Sequence, residues 1–164
     1  MIILNNLKIL WNPWRFEYVS RAGRERECIL CELPKREDGE AYILYRGEWS
    51  YVVLNAYPYN SGHVMIATYR HVGMLENLTR EELSEITELM VRTVATVKKA
   101  FNPDGFNIGL NIGRAAGAGV ADHIHIHVVP RWVGDTNFIA IISGTKPLPI
   151  ALNEVYVKLR ECWS

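Results

Sequence analysis

Five short apolar stretches, each bounded by turn residues, predict β-strands in this chain. Ala41–Arg46 and Ser50–Asn55 are rich in Tyr, Ile, Leu and Val and flank Gly47-Glu48, so they predict a β-hairpin. His63–Thr68 follows a turn-forming cluster and predicts a third strand. Two further strands are predicted over Phe106–Asn111 and His123–Val129. A short strand is also expected over residues 138–143.

A helical period appears between Thr79 and Phe101. Thr79 is followed three residues later by Glu82, which is the pattern of a capping box at a helix start. Apolar residues then recur at spacings of three and four and form one stripe. This stripe consists of Leu83, Ile86, Leu89, Met90, Val94, Val97 and Phe101. A second helix is predicted over Leu152–Cys162.

These elements predict one α+β domain, with an antiparallel sheet of about five strands, one long helix and a C-terminal helix. We divide residues 1–164 into an N-terminal arm (1–27), a core (28–143) and a C-terminal segment (144–164). The 164 residues include 18 basic and 18 acidic side chains, so the formal net charge is zero. This balance argues against nucleic-acid and anionic-membrane partners. Three cysteines do not make a disulfide framework, and a reducing cytoplasm is expected.

Cys28 and Cys31 form a C-x-x-C pair. Two thiolates at this spacing can bind one zinc ion, although free thiols and a redox pair share the pattern. Zinc needs two more ligands, and His71 and His123 are the candidates. A closed site of two cysteines and two histidines would be structural rather than catalytic.

A glycine- and alanine-rich stretch, Asn111–Val120, lies just before the last predicted strand. Small side chains let backbone N–H groups approach an anion, as in phosphate-binding nests, and an ordinary turn is the alternative. Arg114 could assist such a site or be solvated. The position next to a histidine cluster favours phosphate binding.

Three histidines, His123, His125 and His127, alternate with isoleucines in the predicted last strand. Side chains alternate faces along a strand, so the imidazoles should share one face, about 6.6 Å apart. The alternating apolar residues would face the core. A structural metal cluster or half-buried polar residues would also explain the row. A nucleophilic histidine that attacks a phosphoryl group fits better, because imidazole is uncharged and nucleophilic near pH 7.

The run from His123 to Val129 resembles the histidine triad (HIT) signature, H-φ-H-φ-H-φ-φ, where φ is apolar. Asn55 with the later Gly62-His63-Val64 resembles the upstream strand of that family. Asn111 with Gly117–Val120 is similar to its phosphate loop. The resemblance spans about residues 10–143. Residues 10–18, 116–120 and 129–138 resemble one branch, the diadenosine tetraphosphate phosphorylase-like proteins.

The resemblance implies a HIT-like fold and a role for each matching residue. His125 would be the nucleophile that forms a nucleotidyl-histidine at the α-phosphorus, and His127 would bind phosphate oxygens. The remaining substrate contacts would come from Asn55, Asn111, Gly117, Ala118, Gly119 and Val120. A structural zinc ion would be bound by Cys28, Cys31, His71 and His123.

The expected activity is that of a hydrolase or nucleotidyltransferase acting on adenine dinucleotides, with diadenosine polyphosphate favoured. The intermediate would pass to water or to phosphate. An adenosine phosphoramidate hydrolase and a non-catalytic nucleotide-binding protein are the alternatives. Members of the family are usually homodimers, so the resemblance implies a second copy of the chain as partner.

Overall fold

A five-stranded antiparallel sheet with the strand order β1-β2-β3-β5-β4 organises the part of the chain that the structure describes. The structure is a computed structural model, and it describes residues 28–136, 142 and 148–163. The strands are β1 (Ile43–Arg46), β2 (Ser50–Leu54), β3 (Val64–Thr68), β4 (Gly105–Leu110) and β5 (His125–Arg131). The α-helices are α1 (Ile29–Glu32), α2 (Asp38–Ala41), α3 (Arg80–Phe101) and α4 (Leu152–Cys162), and 3₁₀ turns occupy Leu33–Lys35, Leu75–Asn77 and Arg114–Ala116.

The predicted architecture is confirmed, and the main difference lies in the histidine strand. We expected this strand to begin at His123, but β5 begins at His125 and continues to Arg131. His123 lies ahead of the strand, where the next residue, Ile124, donates its N–H to the carbonyl of Val72 at 2.7 Å. The prediction that all three histidines belong to one strand is therefore wrong.

Helix α3 begins with the predicted capping box. The Glu82 N–H donates to Thr79 Oγ1 at 3.2 Å, and the Thr79 N–H donates to the Glu82 carboxylate at 2.8 Å. Leu83, predicted for the buried stripe, is 44% exposed. Glu82 is the buried residue of this first turn, because its carboxylate also accepts two hydrogen bonds from Arg70, at 2.6 and 2.9 Å.

The two faces of the sheet bury different sets of side chains. One face packs against α3 and α4 in the main core, which includes Leu54, Val64, Ile66 and Val128. The opposite face carries a smaller cluster, formed by Leu30, Ala41, Ile43, Tyr51, Val53 and Ala67. Strand alternation in β5 gives Val128 to the core and leaves His125 and His127 for the second face.

The remaining predictions about the chain ends are only partly covered by the described residues. Helix α4 has the predicted bounds. The predicted N-terminal arm (1–27) and the short strand over 138–143, apart from residue 142, lie outside the described residues. Within the described residues, the helices are all too short or too polar to cross a bilayer.

Candidate active site and metal cluster

Strand β5 presents His125 and His127 side by side on the second face of the sheet. Their ring centroids are 4.9 Å apart and their planes are inclined by 76°. On β3, Ala67 pairs with His125 and Met65 pairs with His127, so short or flexible neighbours flank the two imidazoles. Both rings are therefore positioned by the sheet ladder rather than by a loop.

The two ring nitrogens of His125 have different roles. Nδ1 lies 2.8 Å from the carbonyl oxygen of His123. A carbonyl oxygen only accepts, so Nδ1 carries the proton and Nε2 carries a lone pair. Burial lowers the pKa of His125, which keeps the ring neutral near pH 7. The ring thus has the protonation state and the tautomer that a nitrogen nucleophile needs.

A fourth histidine, His63, belongs to the site and was not predicted as a site residue. Its Nε2 lies 2.9 Å from Nδ1 of His127. Its Nδ1 accepts the backbone N–H of Tyr59 at 3.1 Å, so the proton of neutral His63 sits on Nε2 and is donated to His127. Nδ1 of His127 is therefore an acceptor, and its own proton sits on Nε2.

Burial and the neighbouring His127 and His125 lower the pKa of His63 to about 3. The neutral form of His63, which the hydrogen bond to His127 requires, is therefore the stable form near pH 7. Strand parity could have indicated this residue, since His63 shares a face with Met65 and Ala67. That inference needs the β3–β5 pairing, which joins strands that are far apart in the sequence.

Asn55 supports His63 within the turn between β2 and β3. Its Oδ1 accepts the Tyr57 N–H at 2.9 Å, which directs Nδ2 toward Nδ1 of His63 at 3.3 Å. Asn60 fixes the other side of this turn by donating to Pro130 O at 3.0 Å and to Asp135 at 2.8 Å. The β2–β3 turn is thus held against the end of β5.

The glycine-rich loop connects the end of β4 to the start of β5. Leu110 pairs with Ile126, so Asn111 and the residues after it lie at the same end of the sheet as His125. Gly117 has φ +81°, and its N–H donates to the carbonyl of Arg114 at 3.0 Å. The Gly117 amide is thus already engaged, whereas Ala118, Gly119 and Val120 follow it at half-buried positions.

The structure brings together the four predicted metal ligands. One ligand atom from each of Cys28, Cys31, His71 and His123 lies within 4.8 Å of every other. Nδ1 of His123 lies 3.3 Å from Sγ of Cys28 and 3.4 Å from Sγ of Cys31, and Nδ1 of His71 lies 3.4 Å from Sγ of Cys31. This cluster can hold a metal ion.

His123 is prepared for ligation by its surroundings. Its Nε2 lies 2.8 Å from the Thr68 carbonyl oxygen, so Nε2 carries the proton and Nδ1 offers a lone pair toward the two sulfurs. Burial lowers the pKa of His123 to about 4, which favours the neutral ligand form. Burial and the adjacent Cys28 raise the pKa of Cys31 to about 11. A cation would offset that cost, and two thiolates with two neutral imidazoles are the donor set of a closed tetrahedral zinc site.

Comparison with known families agrees with this geometry. The family model described as the HIT domain matches residues 36–133, which include β1–β5, α3 and all three triad histidines. The chain belongs to the HIT domain family. Of the HIT residues discussed above, Cys28 and Cys31 lie before the matched region.

Two HIT relatives are similar to this chain over different lengths. A Mycobacterium tuberculosis protein named AP-4-A phosphorylase is 40% identical over 98% of this chain and 86% of that protein. A bis(5'-adenosyl)-triphosphatase of Dictyostelium discoideum is 33% identical over 56% of this chain and 61% of that protein. Among solved structures, a zinc-bound histidine triad family protein from Mycobacterium smegmatis superposes with a TM-score of 0.67. It is 25% identical, and the match covers 84% of this chain and 93% of that one.

Proposed function

We propose that this HIT protein cleaves adenine dinucleotides, with diadenosine polyphosphates as substrates, through a nucleotidyl group on His125. The observation that carries the proposal is the hydrogen bond from Nδ1 of His125 to the His123 carbonyl, which leaves Nε2 as a buried, neutral nucleophile. The names of the M. tuberculosis and D. discoideum relatives support the substrate class.

The reaction has two steps. Nε2 of His125 attacks the α-phosphorus, a P–N bond forms, and the P–O bond to the rest of the polyphosphate breaks with its electron pair on the departing nucleotide. In the second step water or inorganic phosphate attacks the same phosphorus and the P–N bond returns its electrons to Nε2. Water gives AMP and releases one proton to solvent, whereas phosphate gives ADP.

We assign His127 to the phosphate oxygens. Because His63 donates to Nδ1 of His127, the proton on Nε2 of His127 is available as a hydrogen-bond donor to charge that develops on the phosphoryl group. Ala118, Gly119 and Val120 would add backbone donors, and Asn55 and Asn111 would contact the nucleotide. Gly117 would shape the loop, since its own N–H is bonded to Arg114.

We assign the metal cluster to a structural zinc ion held by Cys28, Cys31, His71 and His123. When bound, zinc would cross-link α1 to the segment that follows β3 and to the segment that precedes β5. The zinc-bound M. smegmatis structure supports this choice of metal. A reducing cytoplasm fits the two thiols that such a site requires.

We also propose a homodimer that forms through the β4 edge. Within the described residues β4 pairs only with β5, and Asn107, Ile108 and Gly109 of β4 are exposed. An unpaired strand edge with an exposed isoleucine is a site where a second sheet can add. Light scattering at several protein concentrations tests the assembly.

Mass spectrometry of a quenched reaction tests the central step. Wild-type protein mixed with diadenosine tetraphosphate should carry an AMP adduct on His125. The matched variant is His127→Ala, which also loses one imidazole but keeps His125. Binding of AMP without an adduct or turnover would identify a non-catalytic nucleotide-binding protein instead. Products formed with and without added phosphate identify the acceptor.

A further inference from the structure

We propose that the metal cluster positions the nucleophile, and that the peptide unit between His123 and Ile124 transmits this effect. His123 and His71 would then be positioning residues for the reaction, in addition to their contribution to stability. This inference rests on the proposed function for the role of His125, but the geometric link can be measured without substrate.

His123 makes contacts in two directions. Its ring is 1% exposed and places Nδ1 3.3 Å from Sγ of Cys28, within the metal cluster. Its main-chain carbonyl accepts a hydrogen bond from the Nδ1–H group of His125, with 2.8 Å between nitrogen and oxygen. One residue thus contributes a ligand atom to the cluster and the acceptor that selects the tautomer of the nucleophile.

The second end of the same peptide unit is also tied to the cluster. The N–H of Ile124 donates to the carbonyl of Val72 at 2.7 Å, and Val72 directly follows the ligand His71. A Cβ added at Gly73 would lie 3.0 Å from Cα of Asp122, so the two backbones are packed closely here. The 71–73 and 122–124 segments therefore hold one another in register, with a metal ligand on each.

A bound metal would fix both segments at once. The carbonyl of His123 and the N–H of Ile124 belong to one planar unit, so the carbonyl cannot rotate without disturbing the bond to Val72. Without a metal, the described contacts of the His71 ring within the cluster are the 3.4 Å approach to Cys31 Sγ and the edge-on contact with His123. His71 is exposed, so chelation would first free the 71–73 segment from the cluster and loosen its contact with residues 122–124.

The expected effect of metal loss is a loss of nucleophile alignment. A displacement of about 1 Å at a reacting group can cost about 10²-fold in rate. The carbonyl that selects the Nδ1–H tautomer of His125 would no longer be held, so the ring would populate both tautomers. A purely structural metal would change the fraction of folded molecules but leave His125 of the folded protein in one tautomer.

The test uses full-length protein labelled with ¹⁵N-histidine and long-range proton–nitrogen correlation spectra, at one pH near 8 and below the unfolding temperature. Spectra are recorded for zinc-loaded wild type, for wild type after chelation, for the same sample after zinc is added back, and for His71→Ala. Leu159→Ala is the matched control, because it truncates a buried α4 side chain in the main core, which includes none of the four candidate ligands.

We expect a single Nδ1–H tautomer for His125 in the zinc-loaded wild type and in Leu159→Ala. We expect mixed tautomers after chelation and in His71→Ala, with reversal when zinc is added back to the chelated wild type. Turnover of diadenosine tetraphosphate should fall about 10- to 100-fold with KM changed less than about threefold. A chelated, folded protein that keeps one Nδ1–H tautomer overturns the proposal, and the chelated wild type decides the question if His71→Ala does not fold. Absence of turnover in the zinc-loaded protein would reject the proposed function. The tautomer spectra would still test whether the metal cluster positions His125.

Discussion

The two histidine clusters of this protein use the same side chain with opposite nitrogens. In the metal cluster, Nε2 of His123 donates to a carbonyl and Nδ1 is left as a lone pair toward sulfur. In the candidate active site, Nδ1 of His125 donates to a carbonyl and Nε2 is left with a lone pair. In each ring, the position of one backbone carbonyl decides which nitrogen keeps its lone pair for the role proposed for it. The backbone neighbour of each histidine ring, rather than the residue type, therefore determines which nitrogen is available for chemistry.

Removal of His125 should have the largest effect, and this effect should be confined to turnover and leave the metal cluster intact. His125→Asn removes the lone pair that attacks phosphorus, so kcat should fall by about 10³-fold or more. Zinc content should stay at about one ion per chain, because no ligand is lost. Steady-state kinetics and elemental analysis measure the two quantities. Turnover close to that of wild type would contradict the nucleophile assignment.

Removal of one cysteine should affect the metal cluster first. Cys31→Ser replaces a thiolate that closes the metal site, and the free energy of unfolding in the presence of zinc should fall by about 3 kcal/mol or more. Cys162→Ser is the matched control, since that half-buried thiol packs against the main core and is not part of the metal cluster. Denaturant titration with and without zinc checks both variants. Equal effects from the two substitutions would argue against a metal role for Cys31.

Substitution of His63 should have an intermediate effect on activity. His63→Asn removes the N–H donated to His127 at 2.9 Å, so His127 can change tautomer and lose its proton on Nε2. We expect kcat/KM to fall about 10- to 100-fold with zinc binding unchanged. His63→Gln, which can place an amide N–H closer to His127, should recover part of the loss. An active His63→Asn variant would show that the hydrogen bond from His63 to His127 is not needed for turnover.

The smallest effect concerns acid stability. Burial holds the pKa of His63 in the folded state at about 3, below its ordinary value of 6.5. Between these values the unfolded chain binds a proton that the folded chain does not, so stability is present at neutral pH and falls as the pH decreases. The contribution is at most about 1.4 kcal/mol per pH unit.

His63→Asn should therefore show a shallower decline of unfolding free energy from pH 6.5 to pH 4 than wild type. Loss of metal ligands to protons acts equally on both proteins and cancels in this comparison. Parallel declines would show that His63 is not kept neutral by the fold.

The elements of the fold were largely predictable because local signals determine them. The capping box at Thr79 and the apolar stripe gave the correct ends of α3, and the C-terminal helix was predicted with its correct bounds. The error at Leu83 has a tertiary cause. Arg70, which lies between β3 and α3, pairs with Glu82 and draws it into the buried position. A contact between separate segments cannot be inferred from helical periodicity alone.

The candidate site could be proposed from the sequence as a set of residues but not as a geometry. The ligands of the metal cluster could be proposed from residue type and family resemblance. The start of β5 at His125, the role of His63 and the engaged amide of Gly117 all depend on pairing across the sheet or on loop conformation. These contacts join residues up to 64 positions apart in the case of His63 and His127.

The long sequence separation within the metal cluster has a consequence for the order of folding. Cys28 and His123 are 95 residues apart, and Cys31 and His71 are 40 apart. During synthesis the last ligand emerges only after all strands except β5 have been made. Loop-closure entropy must be spent before such non-local contacts stabilise the chain, so contacts of this separation slow folding. Metal capture by all four residues would therefore require a nearly complete chain, and His125 lies only two residues after His123.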